Sequence, residues 1–335
     1  MKKFFIFTVC IWAVVFLFEN CSKTKVTDDM YRFIPKYILS LVSFDFQKLR
    51  KIRDFPVIYS MWEKDINESG VGRQFHEFIK ISGIEIKENL DKIIIFTGPY
   101  RIDKIPNMGM VIKLKFDNDK LARAINTFSS KEEQEIYLGI TIKGVFFKDT
   151  KEKHNIAVPD SSHLLLAPKE ILKNMIDVYK GNKKGVLTNK KIRPFIYSEK
   201  ESQIAWFVWL FEDIIKEKKL ETPPGFPPTG LESLSVFAGE KEGEAKVISR
   251  SEFEIKRFSQ YLMNAKAAVS VMPPPDNDQE KLIYTLFKSA SIKVTSSSIQ
   301  MFFKNPRMMI LANEIIFRSF FKALWTGNLN IRKLI

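Results

Sequence analysis

The chain has 335 residues, of which 45% are hydrophobic and 27% charged. That balance suits a globular body with its own core and excludes a low-complexity or collagen-like chain. Lysine and arginine total 53 against 39 acids, a net +14, but the basic residues are scattered, without the dense arginine cluster and interleaved aromatics of a nucleic-acid surface, so no nucleic-acid partner is expected.

Lys2 and Lys3 open the chain with positive charge, Phe4 to Phe18 is apolar without a break, and Glu19 ends the run. Charge, apolar core and cleavage region follow one another as in a secretory signal. The run is shorter than the roughly 20 apolar residues a membrane-spanning helix needs. The residues Leu17-Phe18-Glu19-Asn20-Cys21 resemble the end of a bacterial lipoprotein signal, of the looser spirochaete type. The resemblance implies loss of residues 1–20, acylation of Cys21 with palmitate-like chains, and a place in the cell envelope with the membrane as partner. Loss of Lys2, Lys3 and Glu19 leaves +13, a charge suited to anionic lipid or cell-wall polymer. Cys10 and Cys21 are the two cysteines, so the body has no disulfide, thiolate metal site or cysteine nucleophile. Residues 21–32 begin with the polar run Ser22 to Asp29 and read as a tether.

The body reads as two halves, residues 33–185 and 200–325. In the first, an apolar strand Tyr37–Asp45 leads to a helix Gln47–Ile52 and a helical stretch Met61–Ile81, whose Phe75, Phe78, Ile79 and Ile81 share a face. Strands Leu90–Gly98 and Gly109–Phe116 follow, then a helix Asp119–Phe128. Strands Ile140–Phe147, Ile156–Val158 and Leu164–Leu166 precede a helix Lys169–Tyr179. Gly181 to Ser202 is polar and reads as the boundary. The second half repeats the order: strand Ile204–Phe211, helix Asp213–Lys219, strands Leu231–Gly239 and Ala245–Phe253, helix Ile255–Ala268. It continues with helix Gln279–Ser289, one strand Ile292–Phe303, and a core helix Arg307–Trp325. Leu90-Asp91 to Phe96-Thr97-Gly98 matches Leu231-Glu232 to Phe237-Ala238-Gly239: leucine, acid, apolar run, phenylalanine, small residue, glycine. The expected class is therefore α+β, two related halves, each a mainly antiparallel sheet covered by helices. Ser82 to Ile93, with Ile34-Pro35-Lys36-Tyr37 before the first strand, resembles uncharacterised bacterial envelope proteins of duplicated α+β build. That resemblance implies no catalytic residues.

Histidines are three: His76, His154 and His163. None stands in an HxxH or HExxH spacing, so no metal and no cofactor is expected. Asp160-Ser161-Ser162-His163 holds the letters of a hydrolytic triad, but triads assemble from separated segments, and a turn into the Leu164 strand is the simpler reading. Gly70-Val71-Gly72-Arg73 lacks the third glycine and the preceding strand of a nucleotide loop and reads as a flexible link before the Phe75 helix. Acid pairs Glu132-Glu133 and Glu212-Asp213 lie near lysines, as solvated faces do. Trp206-Phe207-Val208-Trp209-Leu210-Phe211 is apolar on both faces and reads as a buried central strand, with a ligand-cavity lining as the alternative. The expected function is non-enzymatic binding or envelope structure. The alternatives are a hydrolase assembling His154, Asp160, Ser162 and His163 in a pocket, and a carrier of a hydrophobic ligand.

Overall fold

The computed structural model describes residues 29–53, 55–68, 72–98, 108–146, 153–199, 203–211, 230–239, 242–275 and 278–303. A 3-10 turn, Asp29–Phe33, comes first, then β1 (Ser40–Asp45) and α1 (Phe46–Leu49). Helices α2 (Phe55–Glu68), α3 (Gly72–Ser82) and α4 (Ile86–Asn89) precede β2 (Leu90–Thr97) and β3 (Met108–Leu114). Then come α5 (Asn118–Phe128), β4 (Ser129–Tyr137), β5 (Ile140–Phe146), β6 (Lys153–Asp160), β7 (His163–Ala167) and α6 (Lys169–Tyr179). A second 3-10 turn, Val186–Thr188, and α7 (Arg193–Tyr197) lead to β8 (Gln203–Leu210), β9 (Leu231–Gly239) and β10 (Gly243–Ser249). Helices α8 (Glu252–Val271) and α9 (Asp278–Ser289) and strands β11 (Ser291–Val294) and β12 (Ser298–Phe303) complete the described chain.

The class is α+β with antiparallel pairing throughout the named strands. The strands join into one 12-stranded sheet, in the order β11-β12-β10-β9-β8-β1-β2-β3-β7-β6-β5-β4. β1 and β8 meet in its middle, with Val42 opposite Phe207. Counting outward from that pair, β2 and β9 take the second place, β3 and β10 the third, β7 and β12 the fourth. The segments Leu90–Thr97 and Leu231–Gly239 thus hold matching places, within one continuous sheet rather than two.

Both faces of the middle are covered. All eight residues of β2 are buried, as expected of a strand without a solvent side. On one face, Phe46, Leu49, Ile58, Phe78 and Leu121 from α1, α2, α3 and α5 pack with Val42, Phe44, Ile93, Ile95 and Phe207. On the other, Met30, Tyr31 and Phe33 of the first turn and Leu172, Met175 and Ile176 of α6 pack with Leu41, Ile94, Phe96 and Trp206. Each such side chain contributes about 1.5–3 kcal/mol when fully buried. The alternation of β8 divides its aromatics as expected, Trp206 to one core and Phe207 with Trp209 to the other. Helix ends are set by local chemistry: Asp117 accepts from the amides of Asp119 and Lys120 at the start of α5, and Gly83, at φ +65°, ends α3.

Besides the single sheet in place of two and the helical stretch Met61–Ile81 falling in α2 and α3, four sequence readings change. Residues 29–32 are not tether: Met30 and Tyr31 are fully buried, because apolar side chains in a chain segment beside an open sheet face dock there. β4 was missed, since SSKEEQEIY carries no apolar alternation; pairing with β5 and the grip of Lys169 and Lys173 on Glu135 (2.6 and 2.9 Å) make it a strand. The single strand Ile292–Phe303 is a hairpin, turned where Thr295 Oγ1 accepts from the Ser298 amide at 3.0 Å. The boundary Gly181–Ser202 holds a 3-10 turn and α7, whose Val186 and Ile196 are core residues. The expected helices Asp213–Lys219 and Arg307–Trp325, and Cys21 with the signal, lie outside the described residues.

Candidate functional site

The structure brings together three of the four residues that a hydrolase would need, in the turn between β6 and β7. Asp160 faces His163 across the hairpin. Its Oδ1 accepts from the Ser162 amide at 2.9 Å and from the Ser162 hydroxyl at 3.1 Å, closing the turn. His163 Nδ1 lies 2.8 Å from that same oxygen and 3.0 Å from Ser162 Oγ. A catalytic relay needs the serine on one ring nitrogen and the carboxylate on the other; here both crowd Nδ1. Nε2 points to Asp29 Oδ1, 3.4 Å away, without the alignment of a hydrogen bond. The ring is fully buried and packs against Phe33 at 5.0 Å.

This group is an anchor for the first turn. Lys113 Nζ donates to Asp29 at 2.9 Å, and Arg32 pairs with Asp160 at 2.7 Å while its guanidinium lies over the Tyr179 ring. Burial pushes both carboxyls up, but the Lys113 hydrogen bond and the charges of His163, Lys113 and Arg32 hold Asp29 below its ordinary value. Hydrogen bonds from His163 and Ser162 do the same for Asp160. A second clamp lies nearby: Tyr31 Oη donates to Glu199 Oε2 and Lys92 Nζ to Glu199 Oε1, each at 2.8 Å. His154 is apart from the anchor by chain position, in β6 opposite Val145. His76 sits on α3 and meets Asn67 at 2.6 Å. Among the described residues no cluster of His, Cys, Asp and Glu has the makings of a metal site.

The apolar concavity lies in the second half. Leu234 on β9, Ala245 and Val247 on β10, and Ile299 and Met301 on β12 face one side of the sheet, and α8 crosses above them with Phe258, Tyr261 and Leu262. Together with Phe211 and Leu231 they enclose about 310 Å3. Small Ala245 leaves depth in the floor. Among the described lining residues the Tyr261 hydroxyl is the one side-chain oxygen or nitrogen. Ile255 alone of the α8 residues is fully covered, Phe253 and Val271 are 70% and 85% exposed, and Lys266 Nζ donates to the Ala290 carbonyl. Of the aromatic run at 206–211, only Phe211 reaches this cavity. The floor residues were not nominated from sequence; the available signal was the weak apolar stripe of a 20-residue helix above alternating small and apolar strand positions.

No protein-family model matches the chain, and no curated protein sequence matches it. Among solved structures it is similar to TP0453, a protein of the spirochaete Treponema pallidum. Crystal form I of that protein gives a TM-score of 0.41 at 10% identity, over 87% of this chain and 99% of the other. Crystal form IV gives 0.44 at 11% identity, over 86% and 98%. Among the described residues no helix is long and apolar enough to cross a membrane.

Proposed function

We propose that the protein is exported, held in the cell envelope by acyl chains on Cys21, and binds an uncharged apolar ligand without catalysis in the cavity beneath α8. The supporting observation is that cavity. At about 310 Å3 it stands at the small end of ligand sites, which span about 300–1,000 Å3. No charged side chain stands among its described lining residues, so a charged ligand would lose its hydration against them without compensation. A short aliphatic chain fits its size and chemistry. The signal-like N-terminus supports the location, and the +13 charge supports contact with anionic lipid or cell-wall polymer.

Octanol is a suitable probe. Titrated calorimetrically into the full chain, it should bind with a negative heat-capacity change. Ala245→Leu fills the floor of the cavity and should weaken binding at least tenfold while leaving the fold intact. Octanol binding unchanged by Ala245→Leu would overturn the ligand assignment. Acyl labelling that persists in Cys21→Ala would overturn the anchor.

A further inference from the structure

A second concavity, under α5 at the far end of the sheet, has a different chemistry. It encloses about 380 Å3 between α5 and strands β4, β5 and β6. Leu121 and Ile125 of α5 and Ile156 and Val158 of β6 supply apolar walls. Across the strands runs a row fixed by register: Gln134 on β4 stands opposite Lys143 on β5, and Lys143 opposite Ile156 on β6. Side chains directly opposite on an antiparallel pair project from the same face. An ammonium and a primary amide, with Asn118 and Thr141 beside them, therefore border a slot of mixed chemistry whose apolar wall is Leu121, Ile125, Ile156 and Val158.

The ammonium is not neutralised. Lys143 Nζ donates to Asn126 Oδ1, a neutral acceptor, and among the described residues no carboxylate pairs with it. Its other protons remain for a ligand. The mouth carries a second mark. The β4–β5 hairpin turns through Leu138 and Gly139, at φ 49° and 78°. Two-residue turns of this hand favour asparagine or aspartate followed by glycine. Here a leucine, 44% exposed, takes the left-handed position, beside a glycine that lines the cavity. Ile136, opposite Thr141 on the cavity side, is 68% exposed. Apolar side chains at a charged mouth suit a ligand with an anionic head and an aliphatic body.

We infer that the slot between α5 and β4–β6 binds a free short-chain aliphatic carboxylate, its head on Lys143 and Gln134 and its chain against Leu121, Ile125 and Ile156. This site is separate from the cavity beneath α8, and its test is run where that cavity is filled. Octanoate is titrated into the full chain carrying Ala245→Leu. Lys143→Gln should weaken binding about tenfold or more, the worth of a charge-assisted hydrogen bond. Lys143→Arg should restore it. Ala122→Trp, at an exposed lining position of α5, should block it without touching the core. Octanol should bind far more weakly and ignore Lys143→Gln. Octanoate affinity indifferent to both Lys143→Gln and Ala122→Trp overturns the site, as does octanol binding as tightly as octanoate. Lys143→Gln weakening attachment to phosphatidylglycerol vesicles, with octanoate unaffected, would assign the lysine to a lipid headgroup and also overturn it.

Discussion

Replacing His163 by alanine separates an anchor from a catalyst. The ring is fully buried between Phe33 and the β6–β7 turn, so its removal leaves a cavity, which costs about 2 kcal/mol for a side chain of this size. The hydrogen bond to Asp160 goes as well, at about 1 kcal/mol. Further loss is limited, because Asp160 keeps Arg32 and the Ser162 amide, and Asp29 keeps Lys113. The expected destabilisation is therefore about 3 kcal/mol. With a urea slope of about 3 kcal/mol per M, the midpoint should fall by about 1 M at unchanged slope. Ser162→Ala should cost about 1 kcal/mol or less, since the backbone amide still closes the turn on Asp160. Urea melts of both variants, with hydrolysis of a p-nitrophenyl ester as a parallel readout, decide the matter. A His163→Ala protein of undiminished stability, or an esterase activity that both variants abolish, would refute the anchor.

Gly109→Ala should cost more than its size suggests. An added Cβ would stand 2.4 Å from Phe96 Cζ and 3.2 Å from Met175 Sδ, both on core side chains, and overpacking of this kind costs about 1–3 kcal/mol; a thermal melt within a degree of wild type would contradict it. Gly139→Ala has open space and should cost about 1 kcal/mol from its left-handed backbone alone. The acid limb of stability is set by carboxyls held below their ordinary values. Asp29, Asp160 and Asp177, the last raised by burial but lowered further by Lys183 and Tyr137, stabilise the fold fully above the unfolded value of about 3.9. That contribution is lost as pH falls through their lowered folded values, so Asp160→Asn should flatten the loss of stability below about pH 4 in acid titrations followed by circular dichroism. Truncation after Asn305 tests the expected core helix at 307–325: loss of cooperative unfolding supports it, and a fully folded protein that binds anionic vesicles less well shows a membrane role instead.

Long apolar runs were legible because burial on both faces leaves no room for polar alternation. β2, β7 and β8 were placed within a few residues, and the bounds of α6 were read as found. β4 was illegible because its stability lies in a neighbour's backbone and in lysines of α6, neither written in its own nine residues. The β11–β12 turn was hidden by hydroxyls, as Thr295 and Ser298 carry none of the glycine or proline that marks a turn. Of the two concavities, the one beneath α8 is made by what Ala245 lacks rather than by any motif. The Gln134–Lys143–Ile156 row exists only after register is fixed, and register is a tertiary fact.

The junction of β1 and β8 has a consequence for how the chain reaches this state. Val42 and Phe207 lie opposite each other at the centre, yet β1 begins the body and β8 follows after β7 and α6. A pairing of such long contact order forms late and slowly. In a chain delivered from its N-terminus, β1 to β7 can assemble first. Until β8 arrives, β1 is a raw edge with Leu41, Val42 and Phe44, all buried in the finished fold, beside an unpaired backbone ladder. Such an edge invites pairing with a second nascent chain. The middle of the mature sheet is thus the margin of its folding intermediate, and the place where crowding of nascent chains would cause misassembly.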